Sequence, residues 1–111
     1  MIHTDQELIA MCLTGKDMGY TGLYNRYAKK IYNSICRIVT HTAEAEDILQ
    51  ETFCLIFEDV EKLRQVASFE GWVKRIAINR SISHLRRQKI TFAEINDYTE
   101  IADVGLNTVE E

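Results

Sequence analysis

The sequence predicts an all-α fold, a compact bundle of about four helices with an acidic C-terminal tail. Three observations carry that expectation. The 111 residues contain no proline and only five glycines, so helix breakers are few and β-turn chemistry is scarce. Apolar residues recur three and four apart through four successive segments. Residues suited to starting a helix, Thr4, Asp17, Thr42 and Ser68, stand at the head of each segment.

Thr4 with Glu7 makes a capping box. It opens a short first helix through Leu8, Ile9, Met11 and Cys12 that stops at Gly15. Asp17 is placed to cap a longer second helix, whose stripe reads Tyr20, Leu23, Tyr24, Tyr27, Ile31, Ile35 and Ile38. Its opposite side carries Arg26, Lys29, Lys30 and Arg37. Thr42 is the expected cap of the third, with Glu44, Glu46 and Asp47 in its first turns, where the helix dipole favours negative charge. Its stripe reads Ala45, Ile48, Leu49, Phe53, Ile56, Val60 and Leu63, leaving Leu63 to Ser68 as a short loop. Ser68 opens the fourth helix, with Phe69, Trp72, Val73, Ile76 and Ala77 as its first stripe and Ile82 and Leu85 beyond. After Lys89 the pattern fades, and residues 90–111 read as an acidic tail or linker with a short helix near Phe92–Tyr98. The absence of a stop signature at Glu111 suggests a piece of a longer chain.

The length suits one domain. No stretch approaches the roughly 18–20 continuous apolar residues of a membrane span, and Met1 to Asp5 does not begin like a secretory signal. Cys12, Cys36 and Cys54 are odd in number and widely spaced, which fits small buried residues in a reducing cytoplasm better than a disulfide framework or a zinc site. No cofactor motif is present. No nucleophile, histidine and acid stand in a catalytic pattern, so an enzyme is not expected.

The net charge of −4 argues against nucleic acid until its distribution is considered. Six of the seventeen acids lie in 90–111, leaving eleven against all thirteen cations in 1–89. Lys74, Arg75, Arg80, Arg86, Arg87 and Lys89 occupy 74–89 without an intervening acid. Cations favour a helix C-terminus, so a solvated face is one reading. Asn79, Ser83 and His84 lie among them, however, and short polar groups can reach base edges while Arg and Lys take phosphates. In the acidic helix, Asp47, Gln50 and Glu51 are three and four apart and share an exposed surface. That surface either solvates the helix or binds cations of another protein. A metal held by Glu46, Asp47 and Glu51 would need a second acid-bearing helix with a Glu-x-x-His pair, which is lacking.

Taken in order, three segments resemble region 2 of sigma-70 family factors of the extracytoplasmic-function (ECF) group, over nearly all of residues 5–89. Tyr20 to Tyr32 resembles the family's first core helix. The run Ala45-Glu46-Asp47-Ile48-Leu49-Gln50-Glu51-Thr52-Phe53 resembles its polymerase-binding motif, and Ser68-Phe69-Glu70-Gly71-Trp72-Val73-Lys74-Arg75-Ile76-Ala77-Ile78-Asn79 its −10 element segment. Leu85-Arg86-Arg87 matches the basic end. Ile78 departs from the family, which commonly has a basic residue there.

The resemblance implies that residues 1–89 form a sigma region 2 domain and 90–111 the start of a linker toward a missing C-terminal domain. It implies that Asp47, Gln50 and Glu51 contact the β′ clamp helices of core RNA polymerase. Arg64 to Ser68 would wall a pocket for an unstacked base of the non-template strand, with Asn79 nearby. Lys74, Arg75, Arg80, Arg86 and Arg87 would follow phosphates, with Ser83 and His84 beside them. An anti-sigma factor is a further partner common in the family. Trp72 is a stacking candidate, although its place on the apolar stripe favours core packing. The rival reading is a protein-only regulatory bundle whose basic face is merely solvated.

Overall fold

The computed structural model describes the backbone of residues 2–96 and the side chains of residues 2–89. The fold is all-α, with no strand among the described residues. Four α-helices run in order: α1 (Asp5–Leu13), α2 (Asp17–Cys36), α3 (Thr42–Glu58) and α4 (Phe69–Asn96). A 3-10 helix (Val60–Gln65) joins α3 to α4.

The ends of α1 follow from the sequence. Glu7 N–H donates to Thr4 Oγ1 at 3.1 Å and Thr4 N–H donates to Glu7 Oε1 at 2.9 Å, closing the expected capping box. At the other end Gly15 adopts φ +78°, its N–H donating to Cys12 O and the Lys16 N–H to Met11 O. This is the Schellman arrangement, which satisfies the last carbonyls of α1. It also places Lys16, rather than Asp17, at the N-cap of α2, with Asp17 as the first helical residue. Similarly, α3 is preceded by His41 and starts at Thr42, without a side-chain cap at His41. Ser68 does serve α4, its Oγ accepting from the Gly71 N–H at 3.2 Å.

The stripe of α2 is the axis of the core. Leu23, Tyr27, Ile31 and Ile35 are buried along it, and α1, α3 and α4 all pack against this helix. The α1–α2 crossing is close because Gly19 and Gly22 present no side chain. A Cβ on Gly19 would lie 2.6 Å from Cys12 N and Leu8 O, both backbone atoms. Rings link the other helices: Tyr24–Phe53 and Tyr20–Phe57 meet edge-on at 4.9 Å, and Tyr27–Phe69 are tilted to each other at 5.5 Å. Trp72 is half-buried and packs beside Phe69, in keeping with a place at the core edge. The buried hydroxyls of Thr52 and Ser81 donate to Ile48 O and Ala77 O one turn earlier, so neither is left unsatisfied.

Several expectations change. The α3 helix ends at Glu58, and Val60 and Leu63 belong to the 3-10 helix, so the expected loop shrinks to 66–68. The α4 helix continues past Lys89 to Asn96, since no glycine or proline interrupts it there. The first part of the expected separate helix at Phe92–Tyr98 is therefore a continuation of α4. Tyr98 and the rest of the acidic tail lie outside the described residues. Of the cysteines, Cys12 is buried, Cys36 is half-buried and Cys54 is exposed. Arg26 is exposed but tied to the N-terminal segment. Its Nη1 lies 2.7 Å from Asp5 Oδ1, its Nη2 donates to His3 O, and the Tyr27 hydroxyl donates to the other Asp5 oxygen.

Two groups of this region make the fold sensitive to alkali. Burial pushes the Cys12 thiol up to about 11, and burial followed by the hydrogen bond to Asp5 pushes the Tyr27 phenol up to about 12. Both raise the folded value above the unfolded one, so their stabilisation is complete below about pH 9 and is lost as pH rises through those values. Melting temperature measured against pH should fall across that window, and Tyr27→Phe should flatten its upper part. Gly19→Ala should lower stability by about 1–3 kcal/mol in urea unfolding, because backbone must move. Gly71→Ala, which meets only Ser68 Oγ at 3.4 Å, should gain about 0.5–1 kcal/mol.

Candidate nucleic-acid and protein interface

Helical spacing decides which side chains meet between α3 and α4. Glu44, Asp47, Ile48 and Glu51 fall on one side of α3, and Asn79, Arg80, Ser83, His84 and Arg87 fall on one side of α4. The two sets face each other across a groove of about 300 Å³ that they line together. Seven residues singled out in the sequence thus share one site: Asp47, Glu51, Asn79, Arg80, Ser83, His84 and Arg87. Asp47, Gln50 and Glu51 are exposed, as a docking face requires.

Within the groove the charges pair across the helices. Glu51 Oε1 lies 3.0 Å from Arg80 Nη2. The Glu44 carboxylate holds His84 Nε2 at 3.2 Å through one oxygen and accepts from Gln88 Nε2 at 3.0 Å through the other. The Nε of Arg80 is fully covered and has no hydrogen-bond partner. The basic run, unbalanced along the chain, is thus partly balanced in space by acids of α3. Nothing in the sequence marks either set of charges as the other's partner, and there Glu44 stands only as a complement to the helix dipole. Its position three residues before Asp47 was the available signal.

Other expected residues stand elsewhere. Gln50 is turned toward α2, where its Nε2 donates to Tyr24 OH at 2.9 Å. There it borders an apolar depression formed by Tyr20, Tyr24, Phe53 and Phe57, which the sequence did not foretell. Arg64, on the exposed 3-10 helix, is bound by Glu61 at 2.6 Å, and that carboxylate holds its guanidinium above the usual arginine value. Ser68 is occupied as the α4 cap. Lys74, Arg75 and Arg86 are exposed on α4 outside the groove. Arg64 and Ser68 therefore lie apart from the groove that holds Asn79.

Among the described residues, no three His, Cys, Asp or Glu side chains stand together as a metal site requires. Also among them, no helix is long and apolar enough to cross a membrane.

A small all-helical domain with this ordered pair of charged helices has a counterpart among known families. The family model for Sigma-70 region 2 matches residues 23–90, more than half of the sequence. The chain belongs to the sigma-70 region 2 family, and its relatives place it with the ECF sigma factors. It is 33% identical to RNA polymerase sigma-H factor of Pseudomonas aeruginosa over 81 residues, which is 73% of this chain and 42% of that protein. It is 28% identical to ECF RNA polymerase sigma factor SigM of Mycobacterium tuberculosis over 103 residues, 91% of this chain and 52% of that protein. It is 31% identical to ECF RNA polymerase sigma factor SigW of Bacillus subtilis over 75 residues, 68% and 40% respectively. The chain thus spans about half or less of the length of these relatives. No solved structure matches significantly.

Proposed function

We propose that this chain is the region 2 part of an ECF-type RNA polymerase sigma factor, docking on core polymerase through α3 and holding the opened −10 strand along α4. The observation that carries the reading is the groove. It sets exposed carboxylates of α3, from the segment that resembles the family's polymerase-binding motif, beside amide, hydroxyl and guanidinium groups on α4.

The division of labour follows from chemistry. Asp47 and Glu51 can accept charge-assisted hydrogen bonds from Arg and Lys of the β′ clamp helices, and Gln50 can add an amide contact. Asn79 and Ser83 suit base edges, while Lys74, Arg75, Arg80, Arg86 and Arg87 suit phosphates. His84 lines the same wall as Asn79. Arg64 and Ser68, in the segment that precedes α4 and apart from the groove, would wall a separate base pocket there. No covalent step is involved and no cofactor is needed. Unstacking costs a few kcal/mol per base. A protein that binds only the opened strand offsets this with pocket contacts worth ~1–3 kcal/mol per base and a salt-dependent phosphate term. Residues 1–89 act as the binding domain and 90–111 lead toward a second DNA-binding domain. The protein works in the cytoplasm, where an anti-sigma factor is a further partner.

A second reading, a regulatory bundle that binds only protein, is favoured by one observation. Glu51 and Glu44 already engage Arg80 and His84. Titrating single-stranded −10 DNA into the labelled domain by NMR separates the two. The DNA reading expects shifts confined to residues 64–87 that fade with salt, with Arg75→Ala reducing the salt slope by about one phosphate contact. Unchanged spectra at low salt would leave the protein-only bundle. The paired substitution Asp47→Ala and Gln50→Ala should weaken binding to core polymerase at least ~10-fold. Both side chains are exposed, so helical circular dichroism should stay unchanged. Undiminished polymerase binding would remove α3 as the docking face.

A further inference from the structure

Of the three residues assigned to docking, Gln50 alone has a side chain with two unlike ends. The carboxylates of Asp47 and Glu51 offer acceptor oxygens whichever way they turn, whereas the Gln50 amide offers a donor at Nε2 and an acceptor at Oε1. What Gln50 presents to a partner therefore depends on what holds it. Its Nε2 donates to the Tyr24 hydroxyl at 2.9 Å, across the contact between α2 and α3. The support is rigid. The half-buried Tyr24 ring meets Phe53 edge-on at 4.9 Å, about one turn along α3 from Gln50. Tyr24 and Gln50 also form the wall shared by two depressions, an apolar one continued by Phe53 and Phe57 and a polar one continued by Lys29, Glu46 and Asp47.

We propose that Tyr24 is a positioning residue for the docking face, its hydroxyl holding the Gln50 Nε2 inward so that the carbonyl oxygen is the end left for the partner. This rests on the reading of α3 as the docking face and adds a residue of α2 to it. The consequence is chemical uniformity. With Gln50 so oriented, Asp47, Gln50 and Glu51 all present acceptors, which suits a partner surface rich in Arg and Lys donors. Turned the other way, the amide would set a donor against donors in the middle of that face. The hydrogen bond also restricts an exposed side chain before the partner arrives, so less ordering remains to oppose docking. One surface hydrogen bond of this kind is worth about two- to fivefold in affinity.

The test is binding of the full 111-residue chain to core RNA polymerase by competition fluorescence, in mutant cycles between Tyr24→Phe and two replacements of Gln50. Tyr24→Phe removes the hydroxyl and keeps the ring that packs on Phe53. Beside Gln50 it should weaken binding about two- to fivefold, with the melting temperature little changed. In the Gln50→Ala background the same change should have no effect, because nothing is left to position. In the Gln50→Glu background it should also have no effect, because a carboxylate has no wrong end to present. In NMR spectra of the free chain, Tyr24→Phe should shift the Gln50 side-chain amide resonances, as loss of the hydrogen bond requires. An undiminished loss of affinity in either background assigns the hydroxyl to packing or to direct contact and overturns the proposal. Full binding by Tyr24→Phe alone, or unmoved Gln50 amide resonances, also overturns it. Each of these, with Asp47→Ala still weakening polymerase binding, leaves the docking reading standing. Undiminished binding by the chain carrying both Asp47→Ala and Gln50→Ala removes the docking reading and the role of Tyr24 together.

Discussion

The structure depends on the apolar stripe of α2. Leu23, Tyr27, Ile31 and Ile35 offer one continuous face, and three helices must share it. Burying such residues contributes roughly 1.5–3 kcal/mol each, far more than any exposed ion pair in the molecule. Apolar packing therefore sets where α3 and α4 lie. The charged groups then meet whatever packing has placed opposite them. Two glycines matter to the same end, because α1 can cover one end of the stripe only where Gly19 lets the backbones approach and Gly22 leaves room for the Leu8 side chain.

This ordering explains the chemistry of the groove. Its floor includes the buried Ile48, while its walls carry carboxylates from one helix and cations and amides from the other. Side chains at the mouth of such a groove can change partners at small cost, because the helices do not depend on them to stay together. A surface whose stability resides below it is free to serve binding above it. The same argument accounts for Gln50, which rests on the Tyr24 hydroxyl by a single hydrogen bond and remains exposed to an incoming partner.

Much of the fold was legible because it rests on period and on local capping. The α1 box, the Ser68 cap, the stripe of α2 and the core face of α3 from Ala45 to Ile56 follow from spacing alone. Less legible were features set by neighbours distant in sequence. The Schellman turn at Gly15 moved the α2 cap from Asp17 to Lys16, and the 3-10 helix took Val60 and Leu63 from α3. Within the site, each charged face could be read on its own helix. That Glu51 meets Arg80 and Glu44 meets His84, pairs 29 and 40 residues apart, depends on how α3 and α4 are set against each other, which no local pattern encodes. Resemblance located the motifs, but not the contacts between them.

The uninterrupted course of α4 has a geometric consequence. Its 28 residues, at a rise of 1.5 Å each, make a rod about 42 Å long whose first half is clamped in the bundle. Asn96 therefore stands about 13 Å beyond Arg87 along one fixed axis. Whatever is joined there inherits both its distance and its heading from the helix. One residue added or removed between them would swing that attachment by about 100° around the rod, so the segment serves as a ruler and a compass bearing at once.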